Sequence, residues 1–169
     1  MGSGPALRAG SRTVRRPWRT TAVAVPLLAL LALAGCSVVS QPDPAGWDQS
    51  AQQALDDASG EVGTARLALR AAADDRTWSS YTTVLVSEAE EAAGTAEEDL
   101  SRLQVPPERT DAAATALDLL GQAAEATRQV RALAVAGRYD DAELADELAR
   151  LGTALDQEAL RAAARAERS

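Results

Sequence analysis

From Trp47 onward, apolar residues return every three or four positions in four separate runs. The first is Trp47, Ala51, Ala54, Ala58, Val62, Ala65 and Leu69. The second is Trp78, Tyr81, Leu85, Ala89, Ala92, Ala96, Leu100 and Leu103. Ala113, Leu117, Leu120, Ala124, Thr127, Val130 and Ala134 form the third, and Leu144, Leu148, Leu151, Leu155, Ala159 and Ala162 the fourth. Acids, Arg and Gln fill the remaining positions. This is the period of amphipathic helices, and no segment alternates as a strand would.

The breaks between runs carry helix punctuation. Residues 74–77 (DDRT) divide the first two runs, with Thr77 as the expected N-cap. Residues 104–108 (QVPPE) divide the second and third, and Pro107 suits a first helical turn. Gly137 suits a C-cap, and Asp140 with Glu143 reads as a capping box. The expectation is an all-α domain over residues 47–169, with helices at 47–73, 78–103, 108–136 and 140–166. Short loops between such long helices imply an antiparallel, up-down-up-down four-helix bundle. Gly60 and Gly63 offer a place for the first helix to break or kink. Gly63, Gly94, Gly121 and Gly152 fall near the helix middles, where they could form a pinched waist or a small pocket; tolerance of Gly on exposed helix faces is the plainer reading.

Composition tempers the reading of single residues. Lys, His, Asn, Ile and Phe are absent, all seventeen basic residues are Arg, and Ala fills 32 of residues 36–169. That bias fits a GC-rich coding sequence and leaves the core thin in large side chains, so modest stability is expected. Charge is divided sharply. Residues 1–35 hold five Arg and no acid, whereas residues 36–169 carry twelve Arg and twenty-five acids, a net charge of −13. Such a body repels nucleic-acid phosphates and anionic headgroups, which argues against nucleic acid as a partner.

The amino-terminal segment has a different pattern. A basic stretch ends at Arg19 and an apolar stretch follows over residues 20–35, interrupted by Pro26. It is too short for a good membrane span and has no basic flank after it. It closes on Leu33-Ala34-Gly35-Cys36, which resembles the lipobox of bacterial lipoproteins. The resemblance implies a diacylglyceryl group on the Cys36 sulfur and cleavage before that residue. Small Ala34 and Gly35 suit entry into a membrane-embedded peptidase, and the thiolate is the nucleophile. Two or three acyl chains anchor stably where one does not. Residues 1–35 are thus expected to be a lipoprotein signal peptide and residues 36–46 a lipidated cysteine with a short tether, in which Pro42, Pro44 and Gly46 oppose regular structure. The location implied is the extracytoplasmic face of the cell membrane. Arg15-Arg16 looks slightly like a twin-arginine export motif, but Val14 and Arg19 depart from it, and a plain basic region accounts for the pair.

Little in the bundle points to chemistry. Without His, neither a Ser-His-Asp nor a Cys-His site can be built, and a di-iron site of the ferritin type lacks its Glu-x-x-His ligands. No Gly-rich phosphate loop occurs. The acids at Glu88, Glu90, Glu91, Glu97, Glu98 and Asp99, and those opening the fourth helix, read as solvated faces, with Glu98–Arg102 and Asp146–Arg150 at pairing distance along a helix. The expectation is a non-catalytic protein with no metal and no cofactor. Three of the four aromatics after Cys36, namely Trp78, Tyr81 and Tyr139, collect with Arg138 at the end far from the tether. Their run positions favour Trp78 and Tyr81 as plugs of the bundle end; aromatics beside Arg are also the usual anchors of a partner surface. The function expected is a lipid-anchored interaction or structural module of the envelope, with a protein partner contacting Trp78, Tyr81, Arg138 and Tyr139. The alternative is a small-ligand-binding lipoprotein accessory to a transporter or an envelope enzyme. Composition and helix layout over residues 47–166 resemble the small helical lipoproteins of actinobacteria, a likeness without a diagnostic motif.

Overall fold

The computed structural model describes residues 43–169. These form four helices: α1 (Pro44–Ala73), α2 (Ser79–Ser101), α3 (Thr110–Val135) and α4 (Ala142–Ala166). A 3₁₀ turn, Pro107–Arg109, leads into α3. Leu33, Ala34, Gly35 and Cys36, the expected lipobox, lie outside the described residues, as does the expected signal segment.

α1 begins three residues earlier than its apolar run implies. Asp43 is the N-cap, its carboxylate accepts from the Ala45 N–H at 3.1 Å, and Pro44 takes the first helical position. Proline costs nothing there, because its missing N–H would have been unsatisfied anyway. A Cβ at position 46 would meet Asp43 Oδ2 at 2.8 Å, so Gly46 leaves room for the cap. Pro44 and Gly46 therefore start the helix and do not extend the tether. α1 also runs unbroken through Gly60 and Gly63.

Two Schellman closures set the loop geometry. At the end of α1, Asp75 takes φ 52° and the Arg76 N–H reaches Ala71 O at 2.8 Å. Gly137 does the same after α3, with φ 66° and Arg138 N–H to Leu133 O at 2.9 Å. The left-handed turn is cheap for glycine and tolerated by aspartate. Both following caps sit one residue later than expected. Trp78, not Thr77, is the N-cap of α2, because the Thr77 hydroxyl is engaged with that of Thr82 at 2.6 Å. Asp141, not Asp140, caps α4, accepting from the Leu144 N–H at 3.0 Å, and no reciprocal bond from Glu143 forms a box.

Side-chain contacts show how the helices run. Asp48 near the start of α1 meets Arg165 at the end of α4, and Ser59 donates to Asp156 at 2.5 Å. Glu90 of α2 pairs with Arg131 of α3, and Asp48 also meets Arg109 at the head of α3. α1 packs against each of the other three helices, whereas α3 and α4 touch least among helices adjacent in sequence. Small residues permit this. Ala51, Ala58 and Ala65 of α1 and Ala116 and Ala123 of α3 are fully buried, and leucines at 55, 69, 120, 148 and 155 fill the rest. Alanine at a contact brings helix axes toward the short end of the usual 8–10 Å range.

The first and fourth apolar runs are buried throughout. The second is displaced. The buried face of α2 is Thr82, Val86, Ala89, Ala93, Ala96 and Leu100, so Tyr81, Ala92 and Leu103 turn outward and Leu85 is only half-buried. Choosing between adjacent apolar residues such as Leu85 and Val86 needs a packing partner, which periodicity does not supply. The mid-helix glycines make no waist: a Cβ at Gly63 or Gly94 would meet nothing within 4 Å, and at Gly121 and Gly152 the nearest atoms are 3.5 and 3.9 Å away. Glu98–Arg102 pairs as expected, but Asp146 and Arg150 are not in ion-pair contact.

Candidate interaction surface

The end of the bundle far from Asp43 is built from the α1–α2 loop, the first turn of α2, the last turn of α3 and the α3–α4 loop. The α1 closure at Asp75 reverses the chain, and an exposed Arg76–Asp74 pair at 2.9 Å crosses the loop. The Thr77–Thr82 hydroxyl contact then ties the loop to the first turn of α2, and Thr82 Oγ1 also reaches Trp78 O at 3.2 Å. Trp78, extended at φ −79° and ψ 142°, is left pointing outward. It is 84% exposed and Tyr81 is 56% exposed. Neither plugs the bundle, although both fall on the apolar run.

Tyr139 does that work. It packs half-buried against the core, and its hydroxyl donates to Ala134 O at 3.4 Å, satisfying a carbonyl at the end of α3. Arg138 beside it is exposed and makes no ion pair among the described residues. Of the four residues expected to form a contact surface, Trp78, Tyr81 and Arg138 are available to solvent, and Tyr139 is largely committed to packing. Residue pattern did not single out Leu67, Val84 and Val135, exposed by 66, 52 and 66%. All three lie toward the same end, so it carries five of the seven large apolar side chains exposed among the described residues. An exposed tryptophan with neighbouring exposed apolar groups is the usual mark of a contact surface.

The opposite end holds a buried charge network. Asp48 is 0% exposed and takes Arg109 Nε at 2.8 Å and Arg165 Nε at 3.0 Å, one on each carboxylate oxygen. Glu158, 3% exposed, takes Arg165 Nη2 at 3.1 Å and Arg161 Nη1 at 2.9 Å. Arg109 also donates to Ser169 Oγ at 2.9 Å. Two acids and three arginines thus join the head of α1, the head of α3 and the tail of α4. A signal for this was present in the sequence: Asp48 stands in line with Ala51, Leu55, Ala58 and Val62, and Glu158 with Leu151, Leu155 and Ala162. A charged residue on an apolar face requires a buried partner. Each acid is satisfied, so the network reads as a structural clasp. Beside it, Trp47 is 4% exposed, and its Nε1 is the one buried side-chain polar atom among the described residues without a partner.

Glu61 of α1 has a pKa raised above the usual 4.5, first by burial and then by Asp57 and Glu88. Among the described residues, no group of three or more His, Cys, Asp or Glu side chains is placed to hold a metal ion. No described helix is long and apolar enough to cross a membrane. No family model, curated protein or solved structure matches this chain.

Proposed function

We propose that this chain is a lipid-anchored envelope protein that acts by binding a protein partner at the far end of its helical bundle, without catalysis of its own. The anchor reading rests on Leu33-Ala34-Gly35-Cys36, which ends a basic-then-apolar segment and precedes an acidic body. The binding reading rests on one observation above all, the 84% exposure of Trp78. Leaving an indole in water forgoes roughly 2–3 kcal/mol of burial free energy, and a partner surface would recover it. The start of α1 supports the arrangement. With the helix beginning at Pro44, seven peptide units separate Cys36 from Asp43, which span about 25 Å at most. Thirty helical residues then carry Trp78 about 45 Å further along the bundle axis. An anchor at one end and an aromatic cluster at the other would present the cluster away from the membrane.

The test has two arms in the native host. Cys36→Ser is expected to release the protein from the membrane fraction and to block acylation; full processing and retention of that variant would remove the anchor reading. A photo-reactive amino acid at position 78 is expected to cross-link a discrete protein, and the same group at exposed Gln104 is not. Equal labelling from both positions, or labelling that persists unchanged in Tyr81→Ala with Arg138→Ala, would remove the binding reading.

A further inference from the structure

The sparse contact between α3 and α4 leaves an open groove along α3 beside the first turns of α4. Its distal half, a hollow of about 370 Å³, is lined by Ala132, Leu133 and Leu144 and rimmed by Asp141, Glu143 and Glu147. The adjoining half, about 390 Å³, has Leu117 and Ala126 with Asp118 and Glu125. Gln129 and Glu147 line both halves, so the two are continuous. The lining therefore combines apolar side chains with five carboxylates, and neither half contains an arginine.

The carboxylates are not equally occupied. Gln122 donates to Asp118 at 2.8 Å, Glu125 pairs with Arg128, and Asp141 caps α4. Glu143 and Glu147 make no ion pair among the described residues, although the chain has twelve arginines from residue 36 onward and pairs many of them elsewhere. By contrast, the groove between α2 and α3 contains Arg128 and Arg131 closing on Glu90. The α3–α4 groove thus leaves the unpaired carboxylates of Glu143 and Glu147 facing solvent beside the partly buried Leu117 and Leu133, with no arginine among its lining residues.

We infer that the α3–α4 groove is a docking site for a cationic amphipathic helix of a partner protein. Length and charge select that occupant. The lining on α3 runs from Leu117 to Leu133, sixteen residues or about 24 Å at 1.5 Å per residue and the reach of four to five turns of helix, and Asp141 to Glu147 form the facing wall at its distal end. An apolar stripe on the guest would lie on the leucines and alanines while its Lys or Arg residues reach Glu143 and Glu147, the familiar helix-in-groove mode. A second copy of this chain is a poor occupant, because residues 36–169 carry a net −13 and like charges would face each other. The groove adjoins the distal surface at the last turn of α3 and the α3–α4 loop but does not include Trp78, Tyr81 or Arg138, so the two readings fail separately.

The probe is a labelled eighteen-residue peptide with leucines on one helical face and lysines on the other. Two control peptides accompany it: one with glutamate for lysine, and one of the same composition whose order destroys amphipathicity. The full chain is held in nanodiscs of zwitterionic lipid, with empty discs as blank, and binding is followed by fluorescence anisotropy. The cationic amphipathic peptide is expected to bind, to lose affinity as salt rises, and to weaken about threefold to tenfold in Glu143→Gln with Glu147→Gln, the range for two solvent-facing charge contacts. Both substitutions lie on exposed positions, so folding is retained. Gln129→Trp, which fills the junction of the two halves, is expected to abolish binding, and Trp78→Ala to leave it unchanged. Failure of the cationic peptide to bind overturns the inference. So does equal binding of either control, displacement by spermine at equal charge concentration, or loss of binding in Trp78→Ala. Self-association of the chain that the groove substitutions remove would also overturn it, by assigning the groove to a second copy.

Discussion

Replacing Asp48 by alanine should be among the most damaging single changes in the bundle, although the position carries no apolar side chain. The carboxylate is 0% exposed and is the shared acceptor for Arg109 at 2.8 Å and Arg165 at 3.0 Å. Their side chains retain 17% and 19% of their exposure, so the two guanidinium groups are themselves largely withdrawn from water. Removing one partner of a buried pair costs about 3–5 kcal/mol, because the remaining charge is left uncompensated. Two features move the expectation to the lower end. Arg165 keeps Glu158 at 3.1 Å, and Arg109 keeps Ser169 and a path to solvent. About 3 kcal/mol is therefore expected, a large part of the roughly 5–15 kcal/mol by which a domain is stable. For a body of this size that lowers the melting temperature by about 10–15 °C. The assay is urea and thermal unfolding followed by circular dichroism. Arg102→Ala is the control, since its pairs with Glu98 and Asp99 are exposed on both sides and worth about 1 kcal/mol or less. If Asp48→Ala destabilises no more than Arg102→Ala, the burial argument for the clasp is wrong. Asp48→Asn should fall between the two, keeping shape and one acceptor while losing charge.

Three further outcomes follow from local geometry. Gly63→Ala and Gly94→Ala should each stabilise by roughly 0.5–1 kcal/mol, because the new methyl meets nothing within 4 Å and the helix gains propensity; Gly137→Ala at φ 66° should destabilise by about 1 kcal/mol, all read from urea midpoints. Trp78→Ala should leave stability within about 0.5 kcal/mol and remove the iodide-quenched part of the fluorescence from the bundle, whereas Trp47→Ala should cost about 3–5 kcal/mol. Glu61 has its folded pKa raised by burial, Asp57 and Glu88, so the native state holds that proton more tightly than the unfolded chain does. Its contribution is then favourable at low pH and is lost as pH rises from the ordinary Glu value through the raised one. Glu61→Gln should accordingly be more stable than the parent at neutral pH, with the difference closing below about pH 4, the lower side of the ordinary Glu range; a difference that stays constant with pH refutes the assignment.

Much of the fold was legible in the residue pattern, for identifiable reasons. The first and fourth runs are buried as read because the residue after each run position is mostly polar, Gly or Ala; Leu55 is buried beside Ala54, and Leu160 beside Ala159 stays exposed. Leu148, Leu151 and Leu155 stand among acids, Arg and Gly, so only one face can turn inward. The second run offered two registers, Tyr81-Leu85-Ala92 or Thr82-Val86-Ala93, and intrinsic hydrophobicity favoured the first. The structure adopts the second, because the smaller side chains fit against α1 and the threonine hydroxyl finds Thr77 and the Trp78 carbonyl. That one-residue rotation is what places Tyr81 and Trp78 in solvent, and it decides the candidate surface.

By itself the sequence determined the class of fold, the four helices among the described residues, the closure at Gly137 and the acidity of the body, because these depend on periodicity, local backbone preference and composition. It also contains the lipobox-like stretch ending at Cys36. Only the tertiary structure decided which face of α2 is buried, that Asp48 finds arginines 61 and 117 residues away, and that α3 and α4 stand apart over a groove without arginine. The physical reason is common to all three. Burial of a helix face, pairing of a charge and opening of a groove are each set by what a neighbouring helix presents across the gap, and a linear pattern specifies only one side of that contact.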